Sequence, residues 1–331
     1  MQLIECVPNI SDGQNENLLK QIVHAVQQIP QILLIRYEMG FSVNRSVISI
    51  VGTPPAIFNA AITVAQLAIG NIDMRKQHGT HPRIGALDVC PFIPLHNATM
   101  QDCIDLSHKF AQRIASDFNI PVFLYAEATT EKRRLAAIRR GGYERLISEQ
   151  QPKPDYGPTR IPSSSGATIV GARNVMLAFN LNLSSKDSAI ASEIAGILRE
   201  TGRLVKDANR NRVRQPGKFK HLQALGWYVD EFKCAQISTN ILNTKSVSLA
   251  AVYREAQQLA KSFGTRITGC EVVGLIEKDM LVKTGLDFNP NLQMSEEEAI
   301  EKAIEQLNLN DVASFIPEEK ILDLNRLKKL M

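Results

Sequence analysis

A chain of 331 residues, 44% of them hydrophobic, is long enough for about two domains with cores of their own and too apolar for a disordered one. Its formal net charge of +4 is too small to mark a nucleic-acid binder by itself, although it suits small anionic ligands. There is no run near the roughly 20 apolar residues that a membrane span needs, and Met1-Gln2-Leu3-Ile4-Glu5 lacks the charged and apolar regions of a signal peptide, so the chain reads as cytoplasmic.

Residues 2–9 read as a strand, and 15–27 as a helix with Leu18, Leu19, Ile22, Val23 and Val26 on one face. The apolar runs 32–35 and 47–51 read as strands separated by a turn at 38–42. Pro54 and Pro55 open a helix in which Ile57, Ala60, Ala61, Val64 and Leu67 keep three-and-four spacing; proline is tolerated there because the first turn needs no donor. A strand at 84–93, an amphipathic helix at 103–114 and a strand at 122–126 follow. The basic segment 131–148 reads as helical around Gly141 and Gly142, and 150–166, rich in proline, glycine and serine, as a loop. A long strand at 175–183 leads into a second unit, which sets the expected domains at 1–181 and 182–331.

The second unit repeats the style of the first, with a helix at 189–201, strands at 226–230 and 235–242, a helix at 246–263 and a strand at 271–276. A last helix is announced by the capping box of Ser295 and Glu298. Several connections are too short for a crossover, which favours mixed sheets with helices on one face over a doubly wound parallel sheet. The expected class is α/β (α+β) with two similar subdomains. Cys6, Cys90, Cys103, Cys234 and Cys270 have no pair spacing, so neither a disulfide framework nor a cysteine zinc site is expected.

The richest segment is His81-Pro82-Arg83-Ile84-Gly85-Ala86-Leu87-Asp88, which brings an imidazole, a fixed cation and a carboxylate to the start of an apolar strand. The motif alone permits a metal ligand, a buried structural histidine or an acid/base. His78 and His81 lie three apart with Asp88 downstream, but Pro82 disfavours the helical backbone that would align them, and no metal is predicted. His24 and His108 read as helix edges, and His96 and His221 as parts of polar connections.

Two polar clusters interrupt apolar strands. Asn44-Arg45-Ser46 precedes 47–51, and Asn180 and Asn182 alternate with Phe179, Leu181 and Leu183, which puts both amides on one face. Gln236, Ser238 and Asn240 repeat that period of two, so polar strand faces in both halves point to a lined cleft. Residues 166–171 do not make a phosphate loop, since Arg173 follows where lysine and a hydroxyl are required. Segment 201–220 carries Arg203, Lys206, Arg210, Arg212, Arg214, Lys218 and Lys220 against Asp207, and reads as a solvated loop that could attract a polyanion. Apart from Phe219 it lacks aromatics, and no nucleic-acid partner is predicted.

With these residues laid out, the chain resembles the glutamate formimidoyltransferase family over essentially its whole length. The resemblance is carried by Glu5-Cys6-Val7-Pro8-Asn9, Asn44-Arg45-Ser46-Val47, His81 through Pro94, Gly157-Pro158, Gly166 through Arg173, Ala178-Phe179-Asn180, Gly226-Trp227-Tyr228 and Gln236 through Asn240. It implies transfer of the formimino group from N-formimino-L-glutamate to tetrahydrofolate in histidine breakdown, in a stand-alone form without the cyclodeaminase domain. The closest alternative is a related tetrahydrofolate-binding protein that acts on a formyl donor or transfers weakly.

The family's fold implies two α/β subdomains with helices outside and sheets facing across a ligand tunnel. Its catalytic acid/base carries over to His81. Its folate-binding stretch carries over to Gly157, Pro158, Thr159, Arg160, Ile161, Pro162, Ser163, Ser164, Ser165 and Gly166. The resemblance also implies a homodimer and, as a partner, a separate cyclodeaminase. Arg36 and Thr80 depart from acidic residues common in relatives.

Histidine can both take and return a proton near neutrality, as a transfer through a tetrahedral carbon requires. Asp88 or Glu38 could hold the amidine-like formimino group, while Arg45, Arg83 and Arg173 could grip carboxylates through two hydrogen bonds. Asn44, Asn180, Asn182, Gln236, Ser238 and Asn240 complete the expected substrate-binding set.

Overall fold

The computed structural model describes residues 1–41, 43–79, 82–148, 153–207 and 210–323. It divides into two compact units, Met1–Asn174 and Val175–Asp323. The division therefore falls ahead of the strand that the sequence reading had split at 181/182, because all of that strand pairs within the second unit.

In the first unit, β1 (Leu3–Cys6) and β2 (Asn9–Ile10) form one line interrupted at Val7 and Pro8, where proline cannot donate to the ladder. Helix α1 (Glu16–Gln27) is capped by the Asn15 side chain, which accepts from the Leu18 N–H, and buries Leu18, Leu19, Ile22 and Val26. β3 (Ile32–Gly40) and β4 (Arg45–Gly52) make a hairpin. The turn expected at 38–42 begins later: Glu38 pairs with Val47 and Gly40 with Arg45, so ladder pairing overrides the local turn signal.

Next come α2 (Pro54–Asn71), with proline in its first turn, β5 (Leu87–His96) and α3 (Met100–Phe118), opened by a Thr99/Asp102 capping box. β6 (Val122–Ala126), α4 (Leu135–Ile138), α5 (Gly142–Ser148) and β7 (Thr168–Ala172) complete the unit. The expected helix at 131–148 is thus two short pieces; Gly141 lies in the break at φ +81°, a value helical backbone cannot hold, and the second piece opens on Gly142 at φ +66°. The strand expected at 84–93 starts at Leu87 instead.

The sheet runs β3, β4, β1/β2, β5, β7, β6, antiparallel on one side and parallel where β7 lies between β5 and β6. Ile4, Cys6, Ile48, Ile50, Cys90 and Phe92 point to the face covered by α1, α2 and α3. Alternation and cross-strand register put Glu5, Asn9, Arg36, Glu38 and Arg45 on the other face.

The second unit contains β8 (Leu177–Leu183), α6 (Ser188–Leu198), β9 (Arg203–Lys206), β10 (Arg212–Gln215), β11 (Leu222–Val229), β12 (Cys234–Ile241) and α7 (Leu249–Ser262). These are followed by β13 (Ile267–Val273), β14 (Ile276–Glu277), α8 (Lys278–Phe288), α9 (Glu296–Leu307), α10 (Pro317–Lys320) and β15 (Ile321–Leu322). Its main sheet, β11-β12-β8-β13, is wholly antiparallel, and Phe179, Leu181, Ile237 and Cys270 bury against α6 and α7. The basic segment 201–220 is not simply a loop: β9 and β10 pair as a hairpin whose second strand is fully exposed. The strand expected at 271–276 begins earlier, at Ile267, and stops before Gly274, whose φ is +80°.

Among the described residues no helix is long and apolar enough to cross a membrane. All five cysteines are free thiols, and four of them are buried.

Candidate active site

His81 and Thr80 lie outside the described residues, but the chain on either side of them is described and firmly held. Before them, Asn44 spends its whole amide: Nδ2 donates to Gln77 Oε1 (2.6 Å) and to the His78 carbonyl (2.9 Å), while Oδ1 accepts from Gly13 N–H (2.9 Å). Asn44 has φ +50°, which asparagine tolerates better than most residues. It is therefore a clamp on the segment leading to His81. Asn44→Ala removes three hydrogen bonds and places a worse residue at positive φ, so it is expected to cost about 2–3 kcal/mol, read as a lower urea midpoint at unchanged slope. Asp12, Gln14, Asn15, Asn44, Lys76, Gln77 and His78 line an open polar depression of about 500 Å³.

After His81, buried Arg83 donates through Nη2 to the Gln77 carbonyl (2.5 Å) and to Glu144 Oε1 (2.8 Å). Its guanidinium thus ties the segments before and after the histidine to α5. Ile84, Gly85 and Ala86 then meet the expected folate-binding stretch. Gly85 bridges Gly166, Ala86 N–H donates to the Ser165 carbonyl (2.8 Å), and Met74 N–H donates to the Ser164 carbonyl (2.7 Å). Gly166 sits at φ +68°, and a Cβ there would come within 2.2 Å of the Ile84 carbonyl oxygen, so this approach needs glycine.

The Tyr143 hydroxyl donates to the Ser163 carbonyl. The backbone of the stretch is therefore used to hold it in place. Thr159, Arg160, Ser163 and Ser164 remain exposed, and their side chains have no hydrogen bond among the described residues. A hydroxyl-rich loop with one guanidinium suits a ligand that combines a heterocycle with a carboxylate tail.

Asp88 is 1% exposed and fully committed: Oδ1 accepts from Ile84 N–H (3.0 Å) and Oδ2 from Arg139 Nη2. Arg139 is also buried, and its Nε has no partner among the described residues. Arg45 reaches Asn9 Oδ1 on the same sheet face, and burial followed by repulsion from Arg139 lowers its pKa to about 10, with Asp88 acting in the opposite sense. The Tyr125 ring lies over Gly171, where a Cβ would fall 2.4 Å from it. Burial pushes the Tyr125 hydroxyl up, against the pull of Arg173 and Arg139. Asp88 and Arg139 form a buried ion pair, and half-buried Arg45 feels the charges of both.

Glu38 does not join this cluster; it pairs with Arg36 at 2.5 Å. Arg173 Nη1 donates to the Asn174 carbonyl (2.9 Å). Arg139 and Tyr125 were missed by the sequence reading, and the signal for Arg139 was slight: one arginine in a basic segment, next to two glycines.

In the second unit the period-of-two reading brings its residues together. Gln236 pairs with Asn182 and Ser238 with Asn180 across β12 and β8, all on the face away from α6 and α7. Gln236 Nε2 donates to Asn182 Oδ1 (2.9 Å) and to Glu271 Oε2 (3.1 Å), Asn180 Nδ2 donates to the same Glu271 oxygen (3.1 Å), and Asn182 Nδ2 donates to Asp311 (3.0 Å). Ser238 and Asn240 are half-buried on this face and make no side-chain hydrogen bond among the described residues. Glu271 and Trp227 are additions to the expected set; the carboxylate between Cys270 and Val272 in an apolar strand was the available signal for Glu271.

Comparison with known proteins agrees with this division. A profile of the formiminotransferase domain, N-terminal subdomain, matches residues 3–173, and one of the formiminotransferase domain matches 178–325. A formimidoyltransferase-cyclodeaminase of Rattus norvegicus is 40% identical over 97% of this chain and 59% of its own length, so the chain spans about three-fifths of such relatives. Glutamate formimidoyltransferases of Streptococcus pyogenes and Thermoplasma acidophilum are 36% and 33% identical over 85% of this chain, and over 91% and 90% of their own lengths. Matched through both of its units, the chain belongs to the formiminotransferase family of transferase enzymes.

Proposed function

We propose that the chain transfers the formimino group from N-formimino-L-glutamate to tetrahydrofolate, releasing L-glutamate and 5-formiminotetrahydrofolate, as a step in histidine degradation. The observation that carries this reading is the buried Asp88–Arg139 ion pair with half-buried Arg45 in its field, in a unit whose backbone is pinned on both sides of His81. A dicarboxylate donor needs fixed cations, and Arg45, near the Asp88–Arg139 ion pair, is a candidate to supply one. Tetrahydrofolate supplies the accepting nitrogen. His81 takes the proton lost at that nitrogen and returns one to the departing glutamate nitrogen. The exposed hydroxyls of Ser163 and Ser164 and the Arg160 guanidinium are the groups offered to the folate.

In this reading the protein works in the cytoplasm as a homodimer and passes its product to a separate cyclodeaminase, an activity that the rat relative's name joins to formimino transfer. A paired measurement tests the proposal: calorimetry with each ligand alone, and formation of 5-formiminotetrahydrofolate with both. Turnover with formiminoglutamate is expected. Tetrahydrofolate binding with transfer only from a formyl donor would overturn the choice of donor.

A further inference from the structure

The hairpin of β9 and β10 pairs with no other strand among the described residues, and it holds positive charge that the second unit does not neutralise. Its register sorts the side chains between two faces. Val213 lies opposite Val205 and Gln215 opposite Arg203 on one of them, which is anchored to α6 because Arg203 pairs with Glu193 (2.5 Å). Arg212 lies opposite Lys206 and Arg214 opposite Leu204 on the other, and all four of these side chains are exposed. Lys206 and Arg212 make no ion pair or side-chain hydrogen bond among the described residues, nor does Arg210 next to the turn, while Arg214 gives one N–H to the Thr201 carbonyl (2.9 Å). Asp207, the carboxylate nearest in sequence, accepts instead from the Asn211 N–H (2.8 Å).

The main chain of β10 is unspent as well. Asp207 N–H donates to the Asn211 carbonyl (2.9 Å), one step beyond the Lys206–Arg212 pair. Bonded and non-bonded pairs alternate along an antiparallel ladder, so Val205–Val213 and Arg203–Gln215 are the bonded ones, and the N–H and C=O groups of Arg212 and Arg214 turn outwards. Among the described residues no strand meets that edge. Cations along it repel a second edge of the same kind, which keeps two such hairpins from pairing. An acidic strand meets attraction there instead.

We propose that β10 is a docking edge for an extended segment of another protein in which acidic and apolar residues alternate. The segment lies beside β10 as a third strand, its main chain joined to the outward groups of Arg212 and Arg214. Its residues opposite those two share their face, so carboxylates there meet both guanidinium groups and have Lys206 on the next strand. The residue between them falls on the other face beside Val213, which is 40% exposed and takes an apolar side chain. Charge alone would suit a nucleic acid equally. The strand edge decides for a polypeptide, because a phosphate backbone has no donor for the outward carbonyls, and 203–215 has no aromatic side chain on which a base could stack. None of these residues belongs to the candidate active site, so the inference stands apart from the proposed reaction.

The test is fluorescence anisotropy on the full chain with three labelled probes of equal charge. They are an octapeptide alternating glutamate and valine, the same peptide N-methylated at each glutamate, and a short oligouridylate. N-methylation keeps the charge and removes the donors that an added strand would give to β10. The unmodified peptide is expected to bind about tenfold or more tighter than either control, as for the loss of two or more main-chain hydrogen bonds. Lys206→Glu/Arg212→Glu, at two exposed positions, is expected to weaken that binding by about tenfold with an unchanged melting curve.

Equal affinity for the peptide and its N-methylated form would mean attraction by charge without strand addition, and would overturn the proposal. Tighter binding of the oligouridylate, parental affinity in the double variant, or no binding of the unmodified peptide would overturn it too. The N-methylated probe examines the edge on the unaltered protein, so the proposal is open to refutation even where the double variant does not fold.

Discussion

His81→Ala is expected to slow formimino transfer by roughly a hundred- to ten-thousandfold, the usual contribution of one positioned acid/base, with binding of each substrate little changed. The argument is chemical: one group must collect a proton from the incoming nitrogen and deliver one to the outgoing nitrogen, and imidazole, with a reference pKa of about 6.5, is the side chain suited to both near neutrality. It is also structural, since Asn44 holds Gln77 and His78 while Arg83 and residues 84–86 are fixed on the other side. A chain so held on both flanks loses little entropy in placing the residues between them. Single-turnover rates on a variant with an unchanged melting curve are the measurement; parental rates would remove His81 from the chemistry.

The largest effect on stability is expected from Asp88→Ala. Removing that carboxylate strips the Arg139 guanidinium of its ion pair in a site nearly closed to water, within the field of a second, half-buried arginine. Breaking a buried pair from one side costs about 3–5 kcal/mol, because the remaining charge is left uncompensated. Urea denaturation should show that loss, and the double variant Asp88→Ala/Arg139→Leu should recover part of it. A double-mutant cycle without coupling would mean that the pair does not hold α4 to β5.

What the sequence made legible and what it did not divide along a physical line. The amides of β8 and β12 were readable because strand alternation is local: Asn180, Asn182, Gln236, Ser238 and Asn240 share a face whatever the partner strand is. The helices 15–27 and 103–114 were readable for the same reason, from apolar residues spaced at three and four. Glu271 was visible as a residue but not as the centre of that face, since its placement opposite Asn180 is a matter of register between strands far apart in the chain. Arg139 shows the same limit: its tie to Asp88 joins a short helix to a strand end, and neither segment carries a mark of the other. The hairpin of β9 and β10 was hidden differently. Its strands are short and bristle with cations, so charge concealed the weak β-signal of Val205 and Val213.

The position of β7 has a further consequence, for the order in which the first unit can assemble. Among the described residues β6 pairs in the sheet only through β7, and β7 arrives after the whole 150–166 stretch, to be inserted between two strands that precede it in the chain. Contacts across such separations form late, since a long loop must close before they are rewarded. The Gly85–Gly166 approach belongs to this same event. A nascent chain that has reached β6 can therefore own its antiparallel strands and three covering helices, and still lack the contacts that fix the chain beyond His81. The flank of the candidate catalytic residue is completed by the last strand to enter the sheet, so a partly made unit cannot yet present its active-site geometry.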